Sequence, residues 1–314
     1  MASHNELCSD EEFIQLFTQY GAALTAKKLG TTERGIYKRR RRLEETIDRP
    51  IHAPNRIPAE HHAERLRLDI ENGVVLVASD AHYWPGFVST AHLAFLKACE
   101  MMDPVAVVMN GDAFDGAAIS RWPVGSWLDL DRPTVEDELN ACRERLGEIE
   151  DAGGGAKLYW PLGNHDARFE SKLAAHVPEF HNVHGTSLKH HFPNWQPCWS
   201  LWINDDVVIK HRFKGGIHAT HNNAMWAGKT VVTGHLHSLK VTPFSDYNGT
   251  RYGVDTGTLA DPYGPQFSYG EDNPKNHRSG FAVLTFKDGR LMWPEVAHVV
   301  APGIVEFRGK EWEV

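Results

Sequence analysis

The 314-residue sequence has few cysteines and no long apolar run. Its four cysteines, Cys8, Cys99, Cys142 and Cys198, lie far apart and include no Cys-x-x-Cys pair, which argues against a disulfide framework and for a reducing compartment. No stretch approaches the roughly 20 apolar residues that a membrane-spanning helix requires. We therefore expect free thiols, a cytoplasmic location and no membrane partner.

The sequence also lacks an excess of positive charge. Its formal net charge of -8 argues against a protein that coats nucleic acid or an anionic membrane with its whole surface, although a local basic element could still bind phosphates. A composition of 41% hydrophobic and 24% charged residues is ordinary for a globular protein. Nineteen histidines are many for this length, and they are the first indication of metal chemistry.

The N-terminal segment is predicted to be helical. Ser9 followed by Glu12 is a capping box in front of an apolar helix face. A short helix over Ala22–Leu29 is expected to end at Gly30, and Thr31 or Thr32 can cap a third, basic helix. This order is typical of a helix-turn-helix, so we predict a small, all-helical, helix-turn-helix-like domain over residues 1–47.

The third helix carries a basic run. By default such a run is a solvated helix face, but its place in a helix-turn-helix pattern makes contact with DNA phosphates an equal alternative. The candidate contact residues are Arg34, Lys38, Arg39, Arg40, Arg41 and Arg42.

A proline-rich segment separates these helices from the rest of the chain, and we expect a linker over 48–70 and a second domain over 71–314. In the second domain, short β-branched runs alternate with helical segments at Thr90–Met102 and Pro133–Glu150, which indicates α/β architecture. Two C-terminal strands, Phe281–Phe286 and Arg290–Val296, are joined by an Asp288-Gly289 turn. The runs predicted as buried strands are Val74–Ala78, Val105–Met109, Lys157–Trp160, Val207–Ile209 and Val231–Thr233.

Each of these five strands runs into residues that can bind a metal. Because the carboxyl ends of neighbouring strands in an α/β sheet converge on one crevice, we expect the five motifs to meet. Together they supply enough nitrogen and oxygen donors for two divalent cations. The motifs are Asp80-x-His82, Gly111-Asp112-x-x-Asp115, Gly163-Asn164-His165-Asp166, His211 and Gly234-His235-x-His237.

In order and spacing, these motifs resemble those of the calcineurin-like metallophosphoesterases. The resemblance implies a four-layer α-β-β-α sandwich and a dinuclear metal site, with manganese expected first and iron, zinc or nickel as alternatives. It implies that Asp80, His82 and His237 bind one metal, that Asn164, His211 and His235 bind the other, and that Asp112 bridges them.

The same resemblance implies a reaction in which a hydroxide bridging the metals attacks phosphorus without a covalent enzyme intermediate. His165 is the candidate proton donor, oriented by Asp115, and Asn164 is expected to act with the metals in offsetting charge on the phosphate. The assignment of His211 is open, because His218 and His221 follow closely and Arg212 stands where the family usually has glycine.

The substrate is less determined than the reaction. Gly116 and Asp166 stand where the protein phosphatases of the class have Arg and Glu, and the motifs are closer to the recombination-repair exonucleases. We expect a phosphodiesterase acting on nucleic acid, a combination that would suit a phage or mobile-element protein. The alternatives are a phosphomonoesterase acting on a small ester or phosphoprotein, and a DNA-binding regulator with a vestigial metal site.

Overall fold

The structure is a computed structural model that describes residues 7–51, 53, 62–120, 132–270 and 276–314. Within these ranges the α-helices are α1 (Asp10–Leu29), α2 (Glu33–Ile47), α3 (Thr90–Met102), α4 (Val135–Ala152), α5 (Asp166–His176), α6 (Leu188–His191) and α7 (Ala219–Ala227). Part of the predicted linker, residues 52 and 54–61 with Pro54 and Pro58 among them, lies outside the described residues. No helix in the described ranges is both long and apolar enough to cross a membrane.

The strands of the described ranges form two mixed sheets. In chain order they are β1 (Leu66–Leu68), β2 (Gly73–Ala78), β3 (Ala106–Met109), β4 (Lys157–Pro161), β5 (Gln196–Cys198), β6 (Leu201–Ile203), β7 (Val207–Ile209), β8 (Thr230–Thr233), β9 (Lys240–Asp246), β10 (Gly249–Asp255), β11 (Gly280–Lys287), β12 (Arg290–Leu291), β13 (Glu295–Ala301), β14 (Ile304–Phe307) and β15 (Lys310–Glu313).

The larger sheet has the order β15-β14-β13-β11-β2-β3-β4-β5, with β12 paired to β11, and the smaller sheet has the order β1-β6-β7-β8-β10-β9. Side chains alternate along each strand, so Val75 and Val77 of β2 face the smaller sheet and pack with Ile209 and Val232 in one core. Helix α3 packs on the larger sheet and α7 on the smaller one. The predicted four-layer α-β-β-α architecture is confirmed.

One predicted strand is wrong. The segment Arg290–Val296 was expected to be continuous, but β12 ends at Leu291 and β13 begins at Glu295. Pro294 has no N–H to donate to a neighbouring strand, which accounts for the break just before β13. The turn at Asp288-Gly289 forms as expected, with φ of 52° and 73° at the two residues.

Among the described residues, those within 1–60 and 170–183 form one compact unit, and the others form a second unit. In the first unit, α1 is interrupted at Gly21 (φ 71°, ψ -178°) and ends at Gly30 in the left-handed region. The side chain of Thr32 accepts a hydrogen bond from Gly35 N–H at 3.2 Å and caps α2. The three helical segments predicted for this region are therefore present.

Arg39 requires a correction to the predicted DNA-contact set. Its side chain is 4% exposed, lies 2.6 Å from Asp10 and donates a hydrogen bond to Cys8 O. Its guanidinium also stands over the ring of Phe13 at 4.7 Å. The helical phase explains this burial: Ile36 and Leu43, three residues before and four after Arg39, are buried in the same apolar cluster. Arg39 is thus unavailable to phosphates in this arrangement.

Candidate metal centre

The predicted ligand residues follow five strands at their carboxyl ends, three in the larger sheet and two in the smaller one. In the larger sheet, β2 leads to Asp80 and His82, β3 leads to Asp112, and β4 leads to Asn164. In the smaller sheet, β7 leads to His211 and β8 to His235 and His237. The structure brings these side chains into one site where the edges of the two sheets meet.

One group of ligand-type atoms comes from Asp80, His82 and His237, which are all buried and whose donor atoms lie within 4.8 Å of one another. His237 Nε2 is 3.0 Å from Asp80 Oδ1, and His82 Nε2 is 4.0 Å from the same oxygen. We call these three residues triad A. Two imidazoles and a carboxylate aimed at one point are a suitable donor set for a divalent transition metal.

A second group, triad B, consists of Asp112, His211 and His235. His211 Nε2 is 3.0 Å from Asp112 Oδ2, and it is also 3.9 Å from Asp80 Oδ1 of triad A. His211 Nδ1 is 2.8 Å from Asn110 O and donates to that carbonyl, so Nε2 is the nitrogen that faces Asp112 and would bind a metal. The structure therefore places His211 in the site.

The alternatives to His211 lie elsewhere. His218 precedes α7 and His221 is on that helix; both are exposed and neither belongs to a triad. His211 follows β7 directly, whereas His218 and His221 come after an exposed loop.

Asn164 Oδ1 supplies an independent indication that a cation belongs here. It is buried and accepts no hydrogen bond from any described residue. Buried amide oxygens are nearly always paired, so this one calls for a partner other than the described residues, and a bound cation would supply it. The donor set fits divalent cations, because imidazole nitrogens and carboxylate or amide oxygens are common ligands of manganese, iron and zinc.

The backbone at the site is strained. Five of the predicted ligands have positive φ, a conformation that costs non-glycine residues about 1–3 kcal/mol each. Such strain persists only where surrounding contacts fix it. The five are Asp80 (φ 54°), His82 (φ 41°), Asp112 (φ 53°), His235 (φ 72°) and His237 (φ 53°).

Asp166 supports the second and third motifs. Its buried carboxylate accepts hydrogen bonds from the backbone N–H groups of Asp112 and Gly163, both at 2.8 Å, and of Phe114 at 3.1 Å. Burial and the nearby Asp112 raise the pKa of Asp166 to about 6 despite these donors. A Cβ at Gly163 would clash with Asp112 Oδ1, so only glycine permits this approach.

Asp115 contacts two imidazoles. Its Oδ1 is 2.8 Å from His82 Nδ1 and 2.9 Å from His165 Nδ1. The expectation that Asp115 orients His165 therefore matches its position, and the same carboxylate also orients a predicted metal ligand. Burial by itself would raise the pKa of Asp115, but His165 and His82 outweigh it and hold the pKa well below its usual range.

Sequence reasoning missed Arg168. Its guanidinium donates to Asp115 O at 2.9 Å and to His165 Nε2 at 3.1 Å. Because arginine can only donate, His165 Nε2 accepts in this arrangement, and the ring is the neutral tautomer with its proton on Nδ1. Arg168 is two residues beyond Asp166, and this proximity to the Gly163–Asp166 motif was the only sequence signal for it.

His277 was also missed. Its Nδ1 is 3.3 Å from His237 Nδ1, and the centroids of the two rings are 4.5 Å apart. This contact orients His237 so that Nε2 faces Asp80. Because His277 is 40 residues from His237 in the chain and outside the five motifs, the sequence carries no signal for it.

The buried aspartates and histidines of the site shift one another's pKa values. Burial raises the pKa of Asp80, but His237 and His211 outweigh it and lower the value to about 2. Burial lowers the pKa of His211, but Asp112 and Asp80 outweigh it and raise the value to about 10. The carboxylates thus stay ionised and draw positive charge toward the centre.

Comparisons with known proteins add little. No family model matches the chain. Dipeptidyl-peptidase 5 of Porphyromonas gingivalis is 26% identical over 158 residues, which are 49% of this chain and only 19% of that protein.

Solved structures that are similar to this chain include the following three. Zinc-complexed Vps29 of Entamoeba histolytica is 16% identical with a TM-score of 0.40, and the match covers 76% of this chain and 98% of that chain. A single mutant of the same protein is 15% identical with a TM-score of 0.37, and the match covers 77% of this chain and 98% of that chain. The phosphoesterase Yfce of E. coli is 16% identical with a TM-score of 0.31, and the match covers 70% of this chain and 97% of that chain. Because these TM-scores lie below 0.5, the site has to be assigned from its own residues.

Glu138 of α4 is a buried acid near the site. Its Oε1 accepts from Ala117 N–H at 3.0 Å, whereas Oε2 has no partner among the described residues. Burial raises the pKa of Glu138 from 4.5 to about 8, with Asp115 contributing in the same direction. The folded state therefore holds a proton that the unfolded state releases, and the stability this provides is lost as pH rises from about 4.5 to about 8.

We predict that Glu138→Gln removes this pH dependence, because the amide keeps the acceptor and carries no charge. The free energy of unfolding of the variant relative to wild type should increase by on the order of a few kcal/mol between about pH 5 and pH 8. Urea unfolding across this range measures it. Glu136→Gln, at an exposed position of the same helix, should follow wild type. The prediction would be contradicted if the difference in free energy of unfolding between Glu138→Gln and wild type stayed constant across this pH range.

Proposed function

We propose that the protein is a metal-dependent phosphoesterase whose centre holds two divalent cations. The observation that supports this most strongly is the pair of adjacent His/Asp triads together with the unpaired oxygen of Asn164. Asp80, His82 and His237 would hold one cation. Asn164, His211 and His235 would hold the other, and Asp112 would be shared between them.

We propose manganese as the resident metal, with iron, zinc and nickel as alternatives, because the donor set is mixed imidazole and oxygen. Two bound cations supply positive charge for phosphate oxygens and lower the pKa of water to near neutrality. Asp115 and Asp166 would keep the ligand geometry in place, since each fixes residues of the centre through hydrogen bonds.

His165 and Arg168 are the groups we propose to act on the substrate beside the metals. His165 is oriented by Asp115, and its Nε2 lies 4.0 Å from Asp112 Oδ2. For His165 to donate a proton to a leaving oxygen, Arg168 must give up its hydrogen bond to Nε2, and Nε2 must first take up a proton from solvent. Burial disfavours the charged imidazole, but Asp115 and Asp112 outweigh it and raise the pKa of His165 above its ordinary value. A phosphate oxygen would be a strong alternative partner for this guanidinium, so substrate binding would release Nε2 for proton transfer.

We propose nucleic acid as the phosphodiester substrate. On α2, Arg34, Lys38 and Arg41 are exposed and spaced four and three residues apart, which places them on one helix face. Arg42 is exposed beside this face, whereas Arg40 pairs with Glu44 at 3.3 Å. This face supports a helix-turn-helix-like role in DNA binding. A small phosphate ester or a phosphoprotein is the alternative substrate.

The first test is Asp112→Asn. Losing the shared carboxylate should reduce bound metal below the two ions expected per chain and lower turnover by about three orders of magnitude. Metal analysis and hydrolysis of bis(p-nitrophenyl) phosphate measure these effects, with circular dichroism confirming that the variant folds. Asp151→Asn, on the exposed part of α4, is the matched control. Full metal content and turnover in Asp112→Asn would end the proposal.

The second test concerns the substrate. Replacing Arg34, Lys38 and Arg41 together by Ala should weaken DNA cleavage and make its salt dependence shallower by about one log–log unit for each phosphate that is no longer neutralised, because fewer counterions are released. Hydrolysis of bis(p-nitrophenyl) phosphate should be unchanged. The control replaces three exposed lysines outside α2: Lys189, Lys287 and Lys310. If DNA cleavage depends on salt concentration equally in both triple variants, α2 does not bind DNA.

A further inference from the structure

Acidic residues are absent from a long part of an otherwise acidic chain. Between Asp206 and Asp246 there is no Asp or Glu, although the whole sequence contains 41 of them and has a net charge of -8. The same interval contains five lysines or arginines and five histidines. Because the interval includes His211, His235 and His237, this carboxylate-free region adjoins the metal centre.

The exposed part of this region carries large apolar side chains that a folded chain normally buries. Phe213 is 43% exposed, Ile217 80% and Trp226 68%. The ammonium of Lys214 lies 4.9 Å from the ring centroid of Trp226 and 5.3 Å from that of Phe213. Lys210 lies 5.3 Å from the Phe213 ring. Aromatic rings and cations therefore alternate on one exposed surface.

The loop that carries this surface is held in place. Lys214 N–H donates to the side chain of buried Asn223 at 3.0 Å, and Lys240 Nζ donates to Ile217 O at 3.3 Å. Among the described residues, the side chains of Lys210, Arg212 and Lys214 form no ion pair. Their charges are thus not neutralised by carboxylates of this part of the chain.

The loop also begins at the centre itself. Arg212 directly follows His211 in the chain. Along the chain, this surface thus begins directly after a residue of triad B.

The geometry points to a binding platform for single-stranded nucleic acid, formed by the rings of Phe213 and Trp226 and the charges of Lys210, Arg212 and Lys214. Unpaired bases would stack on the rings, and the cations would contact the phosphates. Bases paired in a duplex do not offer their faces to such rings, so a single strand is the expected ligand. The platform depends on the phosphoesterase function proposed above, since it would deliver a phosphodiester to triad B.

The experiment measures fluorescence anisotropy of a labelled single-stranded oligonucleotide of about 15 nucleotides, with a chelator present to prevent cleavage. Trp226→Ala and Phe213→Ala should each weaken binding by about ten-fold, the effect of removing the stacking of one base. Lys214→Ala should make the salt dependence shallower by about one log–log unit. Trp293→Ala, at a 59% exposed tryptophan outside the region, and Lys287→Ala are the matched controls.

A parallel assay with bis(p-nitrophenyl) phosphate separates the platform from the proposed function. This small ester should be hydrolysed equally by wild type and the platform variants, whereas cleavage of the oligonucleotide should fall in the variants. If wild type binds the oligonucleotide through Trp226 but never hydrolyses the small ester, the assignment of the surface as a single-strand binding site stands, whereas the phosphoesterase function and the delivery of a phosphodiester to triad B fail.

The platform is overturned if Trp226→Ala and Phe213→Ala bind the oligonucleotide as wild type does. It is also overturned if wild type binds anionic phospholipid vesicles or a phosphopeptide through Trp226 more tightly than the oligonucleotide. Equal effects of Trp293→Ala and Trp226→Ala would contradict it as well, because they would show that any exposed tryptophan gives the same result.

Discussion

Burying Asp80 and Asp112 side by side is costly, because two ionised carboxylates removed from water repel each other and lose their hydration. The structure offsets this cost with imidazoles: His237 lies 3.0 Å from Asp80, and His211 lies 3.0 Å from Asp112. Each of these pairs joins the two sheets, since the aspartates follow β2 and β3 and the histidines follow β7 and β8. The same two Asp–His pairs therefore balance the charge of the centre and hold the two sheets in alignment.

The backbone conformation of the turns that carry the ligands is explained by this close approach of the two sheets. A carboxylate can approach the neighbouring segment only where no Cβ intervenes, and both Gly163 and Gly234 stand where a Cβ would clash with a predicted ligand. The positive φ angles at Asp80 and Asp112 aim these side chains at the crevice, and hydrogen bonds from Ser79 to Asp80 and from Asp112 N–H to Asp166 hold the strained turns. Rigid support of this kind is what a metal site requires in order to bind without rearrangement.

Much of the fold could be predicted from the sequence because the strands are short, apolar and followed at once by polar ligand residues. Helix α3 was predicted with the bounds that the structure shows, and the ligand residues were named from their positions after the strands. The contacts of His277 and Arg168 could not be predicted, since they depend on side-chain directions and on chain segments that meet only after folding. Arg39 was misjudged because the basic run was treated as uniform, although the spacing from Ile36 to Leu43 places it on the apolar face.

The central claim is that two cations share this crevice. Anomalous diffraction from crystals grown with manganese tests it most directly. The account predicts two peaks roughly 3.5–4 Å apart, one bounded by Asp80, His82 and His237, the other by Asn164, His211 and His235, with Asp112 between them. A single peak, or manganese bound away from these side chains, would contradict it.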